Sequence, residues 1–109
     1  MKVVVSAQAE RDLDSIAGWI AADNPRRALL FVRELRQACE GLGKNPERFA
    51  VALASDGRHV RRRVLGNYLI FFNVDRVSDT VRVIRVLHAA RDYPRLFEAP
   101  SSEYGEAGP

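Results

Sequence analysis

Sulfur is scarce in this 109-residue sequence, which has one methionine and one cysteine, Cys39. A lone cysteine excludes an internal disulfide and a cysteine-based metal cluster. Histidine is nearly as rare, with only His59 and His88. Two distant histidines among scattered acids match no ligand spacing, so neither a metal nor any other cofactor is expected. No apolar run approaches the roughly 20 residues that cross a bilayer, which leaves no membrane role. The opening Met1-Lys2-Val3-Val4-Val5-Ser6 turns polar too soon for a signal peptide, so a cytoplasmic location is the expectation. Lysine is missing from the C-terminal half, where Lys2 and Lys44 have no counterpart.

Arginine fills that gap. The net charge of +3 conceals a balanced N-terminal half and a strongly basic stretch over residues 58–95. That stretch holds nine arginines against Asp75, Asp79 and Asp92, a local balance of +6. Such asymmetry points to an anionic partner, either nucleic acid or an acidic protein segment. Positive strand edges that merely discourage aggregation are the plainer alternative. The exclusive use of arginine favours two-pronged binding of phosphate or carboxylate over simple solubility.

Hydrophobic spacing divides the chain. Lys2 to Val5 is a β-branched run suited to a strand. Ser6 then caps a helix whose Ala9, Leu13, Ile16, Ala17 and Ile20 share one face. Asn24 and Pro25 restart the chain as cap and first helical residue. The second helix carries Ala28, Val32, Leu35, Cys39 and Leu42 inward, with Phe31 beside them, and ends at Gly41, Gly43 and Asn45-Pro46. Cys39 on that stripe reads as core. Residues 46–57 read as irregular. The period then changes to that of three strands: Arg58 to Leu65, Tyr68 to Asp75 and Thr80 to His88. Gly66-Asn67 supplies a tight hairpin between the first two. Tyr68 to Val74 is apolar on both faces apart from Asn73, as a central strand would be. Ala89 to Phe97 reads as a short turn interrupted by Pro94.

The expected fold is therefore α+β in two layers. An N-terminal strand and an antiparallel helical hairpin precede a three-stranded antiparallel meander, in the order β-α-α-β-β-β. One domain over residues 1–98 is expected, followed by a disordered Ser/Glu/Gly/Pro-rich tail over 99–109.

Alternation in the arginine strand places Val60, Arg62 and Val64 on one face and His59, Arg61, Arg63 and Leu65 on the other. With the valines inward, Arg62 would be half-buried against an acidic or carbonyl partner, and Arg61 and Arg63 would project outward near Arg58. Arg82 and Arg85 fall on opposite sides of the last strand, spreading exposed charge over a face and an edge. Trp19 lies about 60° from Ile16 around the helix, at 100° per residue. Either it packs between the helices or it docks a partner. Leu30 lies well off the inner stripe of its helix and is a second docking candidate.

These elements together resemble the ParE branch of the ParE/RelE toxins, also called plasmid-stabilisation toxins, over about residues 2–97. The resemblance rests on Asp12-Leu13 with Ile16, Pro25-Arg26-Arg27-Ala28, Phe31-Val32 with Leu35, and Pro46. It continues through the arginine strand and Tyr68-Leu69-Ile70-Phe71-Phe72, and closes on Val83 to Asp92 with its V-x-H-x-x-R-D phrase. It implies the toxin of a type II toxin–antitoxin system, neutralised by a co-produced ParD-like antitoxin with an acidic or amphipathic C-terminal segment. Amphipathic segments of this kind dock as a helix in a groove or as an added strand. ParE-like members are associated with inhibition of DNA gyrase, and operator DNA would be met only through the antitoxin. RelE-like members instead cleave mRNA on the ribosome, and a non-toxic member retaining only antitoxin binding is a third possibility.

The resemblance also weighs the chemistry. Ribosome-dependent cleavage needs a base for the 2′-hydroxyl, an acid for the leaving oxygen and positive charge at the phosphate. The residues available for it are Arg62, His88, Arg91 and Tyr93. RelE-like chains tend to carry a tyrosine six residues after the arginine of R-D, where this chain has Phe97, which cannot exchange a proton. His88 reads more readily as the end of a strand, in a hydrogen-bond network with Asp92. Binding without catalysis is the expectation, through Arg58, Arg61, Arg63, Arg82, Arg85, Arg91 and Arg95, with Trp19 and Leu30.

Overall fold

In the computed structural model, residues 1–55 and 58–92 are described. Strand β1 (Lys2–Val5) leads into helix α1 (Ala7–Ala21), and helix α2 (Pro25–Glu40) follows. Short 3-10 turns at Gly41–Gly43 and Pro46–Arg48 lead to β2 (Val51–Ser55), β3 (Arg58–Leu65), β4 (Tyr68–Asp75) and β5 (Thr80–His88). The fold is α+β with a helical hairpin and a mixed sheet, as the hydrophobic spacing implies. β2 is additional. Val51 to Ser55 lies in the stretch that reads as irregular, and it becomes a strand only by pairing with β3. Its few residues, two of them alanine, carry too little alternation to announce it.

The sheet order is β1-β5-β4-β3-β2, which puts β4 in the centre. β1 lies parallel to β5, with Lys2 opposite Thr80 and Val5 opposite Val83, and the other pairings are antiparallel. Both helix starts follow local chemistry. The Ser6 hydroxyl accepts from the Ala9 N–H, and the Asn24 side chain accepts from the Arg27 N–H, with Pro25 at the first turn. Gly66 turns the β3–β4 hairpin at φ +58°, a left-handed conformation that glycine adopts freely.

The main core lies between the helices and the sheet. Ala9, Leu13 and Ile16 of α1 and Leu35, Ala38 and Cys39 of α2 meet Tyr68, Ile70 and Phe72 of β4 and Val81, Val83 and Val86 of β5. Leu69, Phe71 and Leu87 form a smaller cluster, with Ala52, Val60 and Ala89 against it. β4 is thus buried on both faces, which explains its unbroken apolar run.

The register settles the arginine strand, and it reverses the expected faces. Arg61 pairs opposite Phe72, Arg63 opposite Ile70 and Leu65 opposite Tyr68, all on the helix side. Arg62 pairs opposite Phe71 on the other side, and Val64 is exposed there. The carbonyl partners expected for Arg62 therefore belong to its neighbours. Arg61 donates to the Phe49 carbonyl at 2.7 Å and the Glu47 carbonyl at 3.3 Å. Arg63 donates to the Ala38 carbonyl at 2.9 Å and lies over the Phe49 ring, 5.4 Å from its centroid. The last turn of α2 has no basic residue of its own. Arg63 reaches in from β3 to satisfy one of its orphan carbonyls and to offset the negative end of the helix dipole. The valines misled because β3 separates two apolar clusters, and the larger one takes the arginine stems with Leu65.

Candidate functional site

β1 ends at Val5, opposite Val83, so β5 has a free edge from Ile84 onward. Ile84 itself is left over at a bulge between the Phe71–Arg85 and Phe72–Val83 pairs. The bulge shifts the alternation, so that Val81, Val83 and then Val86 all enter the main core. Side chains take over the hydrogen bonds that β1 no longer makes. The Ser6 hydroxyl donates to the Ile84 carbonyl at 3.1 Å. Asp12, one of two buried polar residues among those described, accepts from the Val86 N–H at 2.9 Å. The next donor on this edge, the His88 N–H, is accepted by Asp92 at 3.0 Å.

The two carboxylates that cap the edge each hold an arginine. Arg85 donates to Asp12 through Nε at 2.8 Å and through Nη2 at 3.1 Å. Arg91 pairs with Asp92 in the same forked manner, at 3.0 and 3.2 Å. Both guanidinium groups are pushed up from their ordinary values, first by these hydrogen bonds. Asp92 is held below the usual carboxylate range, chiefly by Arg91 and then by the His88 N–H, which outweigh its burial. Arg91 also lies over Trp19, with its guanidinium carbon 4.7 Å from the ring centroid. Trp19 does not pack between the helices. It is 63% exposed on the α1 side of a groove of about 520 Å³. Ile16, Val86 and Leu87 give the groove apolar floor, and Ser15 lines its flank.

His88 closes this end of the sheet. Its Nδ1 accepts from the Arg91 N–H at 3.0 Å, which places the proton of the neutral ring on Nε2. Its ring meets Tyr68 edge-on, with centroids 5.0 Å apart. Burial raises the Tyr68 phenol above its ordinary value.

The arginines are thus distributed among separate environments. Arg85 and Arg91 stand at the groove, Arg61 and Arg63 reach under the helices, and Arg62 lies on the far face. Arg82 is exposed beside Asn73 near the start of β5, so it does not share one surface with the paired Arg85. Leu30 is half exposed on α2, where it lines a shallow depression with Phe31, away from the groove. Tyr93, Arg95, Phe97 and the tail over 99–109 lie outside the described residues, as does the side chain of Arg58. Asp12 was missed as a functional group. Its signal was a lone acid inside the apolar face formed by Ala9, Leu13 and Ile16. Among the described residues, no group of three or more His, Cys, Asp or Glu could hold a metal, and no helix is long and apolar enough to cross a membrane.

Fold and groove together define a small arginine-rich α+β domain, with an aromatic and two ion pairs set along the free edge of its sheet. Residues 3–93 match the sequence model of the ParE toxin of type II toxin–antitoxin (parDE) systems, and the chain belongs to this family. No curated protein matches it. Among solved structures it is similar to a chain of the chromosomal ParDE toxin–antitoxin system from P. aeruginosa. That chain is 20% identical with a TM-score of 0.67, and the match covers 81% of this chain and 95% of that one. It is also similar to a chain of the RelBE2 toxin–antitoxin complex from Mycobacterium tuberculosis. There the identity is 26% and the TM-score 0.57, over 80% of this chain and 88% of that one.

Proposed function

We propose that this chain is a toxin that acts by binding DNA gyrase, without catalysing a reaction, and that a cognate ParD-like antitoxin neutralises it in the cytoplasm. The observation that carries the non-catalytic part is the state of the groove. Asp12, Asp92, Arg85, Arg91 and the His88 Nδ1 are all engaged with one another or with backbone. General acid–base work favours a group tuned toward neutrality. The shifts resolved at this end move away from it, with Asp92 down and Tyr68 and the arginines up. Of the residues that a ribonuclease would use, Arg62 lies on the far face of the sheet, apart from His88 and Arg91 at the end of β5.

The same groove supports antitoxin docking. Trp19 offers a large exposed apolar surface beside the Arg91 charge, a combination typical of interface hot spots. Because carboxylates already occupy the Val86 and His88 N–H groups, an added strand would find this edge closed. The groove is better suited to an amphipathic helix, with an acidic side chain near Arg91 and an apolar one against Trp19.

Expression with and without the antitoxin, followed by gyrase supercoiling and mRNA-cleavage assays, tests the reading. Growth arrest with inhibited supercoiling and intact mRNA is expected. Cleavage of mRNA at ribosomal A-site codons with unaffected gyrase would support the RelE-type alternative, and normal growth would indicate a member limited to antitoxin binding. Trp19→Ala is expected to weaken antitoxin binding by about 2 kcal/mol.

A further inference from the structure

The sheet guards one of its sides and leaves the other open. The β5 edge beyond Val83 is closed by the Asp12 and Asp92 carboxylates. Beside it β1 carries Lys2, and the Met1 ammonium ties β1 to the Gly41–Gly43 turn through the Gly43 carbonyl at 3.0 Å. β2 forms the opposite boundary of the sheet and pairs only with β3. Among the described residues, no backbone hydrogen bond reaches its outer side.

Strand edges in soluble proteins are commonly guarded by a lysine, a proline or a covering segment. β2 reads Val51-Ala52-Leu53-Ala54-Ser55 and has neither charge nor proline. Val51 and Leu53 are each 43% exposed, so the edge offers apolar surface as well as unpaired peptide groups. Val51 lies opposite Arg61 on the helix side of the sheet, and Leu53 lies opposite Val60 on the far side. A strand added to β2 therefore gains main-chain hydrogen bonds and an apolar contact on each face.

The surroundings of this uncharged strand are positive. Arg61 donates to the Glu47 and Phe49 carbonyls just ahead of β2. Arg62, whose N–H donates to the Ala50 carbonyl, points to the other face. Its side chain makes no hydrogen bond or ion pair among the described residues. Arg48 lies over the Phe49 ring, 4.5 Å from its centroid. Glu47, the one acid in residues 44–55, is already paired with Arg76. Charge complementarity thus favours an acidic strand. A second copy of this chain would bring its own arginines to the same boundary, where like charges oppose pairing.

We propose that the outer edge of β2 takes up an extended acidic segment of a partner protein as a sixth strand, with Arg61 and Arg62 selecting for its charge from the two faces. This edge is separate from the groove, and its test needs neither gyrase nor an antitoxin.

The test is an NMR titration of the isotope-labelled full chain with a short peptide alternating valine and glutamate, and with a control alternating valine and lysine. The glutamate peptide is expected to shift the amides of residues 51–55 and slow their exchange, leaving those around Trp19 unmoved. The lysine peptide should bind about fivefold more weakly or not at all. Leu53→Glu, at an exposed position, should weaken the glutamate peptide by about fivefold. Arg62→Gln should weaken it by a smaller factor, and Trp19→Ala should have no effect. Absence of any shift would overturn the proposal, as would equal binding of the two peptides. Shifts centred on Trp19 and lost in Trp19→Ala would place the peptide in the groove and overturn it. Slow exchange of the β2 amides in the chain alone would mean that the edge is already filled and would also overturn it. Protection that rises with protein concentration would then assign the edge to a second copy, and protection independent of concentration to the chain itself.

Discussion

Asp12 and Arg85 lie 73 residues apart in sequence, and their side chains join in a forked ion pair at 2.8 and 3.1 Å. The same Asp12 carboxylate accepts from the Val86 N–H, so one side chain fixes α1 to β5 where β1 has run out. An isolated ion pair is weak evidence for stability, because desolvation opposes the Coulomb gain. This pair differs in that removing the acid also orphans a buried backbone donor.

Asp12→Ala is therefore expected to destabilise the fold by about 3 kcal/mol. Asp12→Asn keeps an acceptor for the Val86 N–H and should lose less, about 1–2 kcal/mol. Urea midpoints at constant m-value measure both. Equal losses for the two variants would show that charge alone matters and that the backbone bond contributes nothing.

The Trp19–Arg91–Asp92 chain gives a pH dependence. The Asp92 pKa is depressed in the folded protein, mainly by Arg91. Its contribution is thus present above the unfolded value and is lost as pH falls through the folded one. Protonation frees Arg91 from Asp92 and loosens its stacking on Trp19. Trp19, the sole tryptophan, reports this by fluorescence. A transition below the ordinary aspartate value of about 3.9 is expected, and Asp92→Asn should abolish it. A midpoint above that value would contradict the depressed pKa.

Arg62 and Arg63 are adjacent and should behave differently. Arg63→Ala removes the cation and donor at the end of α2 and uncovers Phe49, at a cost of about 1–2 kcal/mol. Arg62→Ala on the far face should stay within about 0.5 kcal/mol. Thermal denaturation of the two single variants separates them. A larger loss for Arg62→Ala would mean that the strand faces have been assigned the wrong way round.

Cys39 is 1% exposed, and burial pushes its thiol up to about 11. Only the thiolate is an effective nucleophile, so a thiol reagent at neutral pH should label the native protein very slowly and the denatured protein at once. Fast labelling of the native chain would show that α2 opens from the sheet under native conditions.

Much of this was legible beforehand, for identifiable reasons. The helical hairpin was readable because Ser6, Asn24 and Pro25 are local punctuation and each helix has a single buried stripe. The central strand was readable because β4 must satisfy two apolar clusters and so is apolar throughout. β2 was not, since it exists by virtue of its partner. The groove was only partly legible. His88 to Asp92 are close in sequence, but nothing local ties Arg91 to Trp19 or Arg85 to Asp12.

The sequence by itself determined both helices, four of the five strands, their order, the family and the concentration of arginine after residue 57. Local periodicity and capping act within a few residues, and a linear reading captures such short-range chemistry. Only the tertiary structure decided which way each arginine faces. β3 separates two apolar clusters, so the valines did not mark its core side, and a bulge at Ile84 resets the alternation of β5. The arginines thereby become structural supports under the helices, a paired set at the groove and, at Arg82, an exposed cation at the far end of the sheet. These roles depend on contacts across the fold, which residue spacing does not encode.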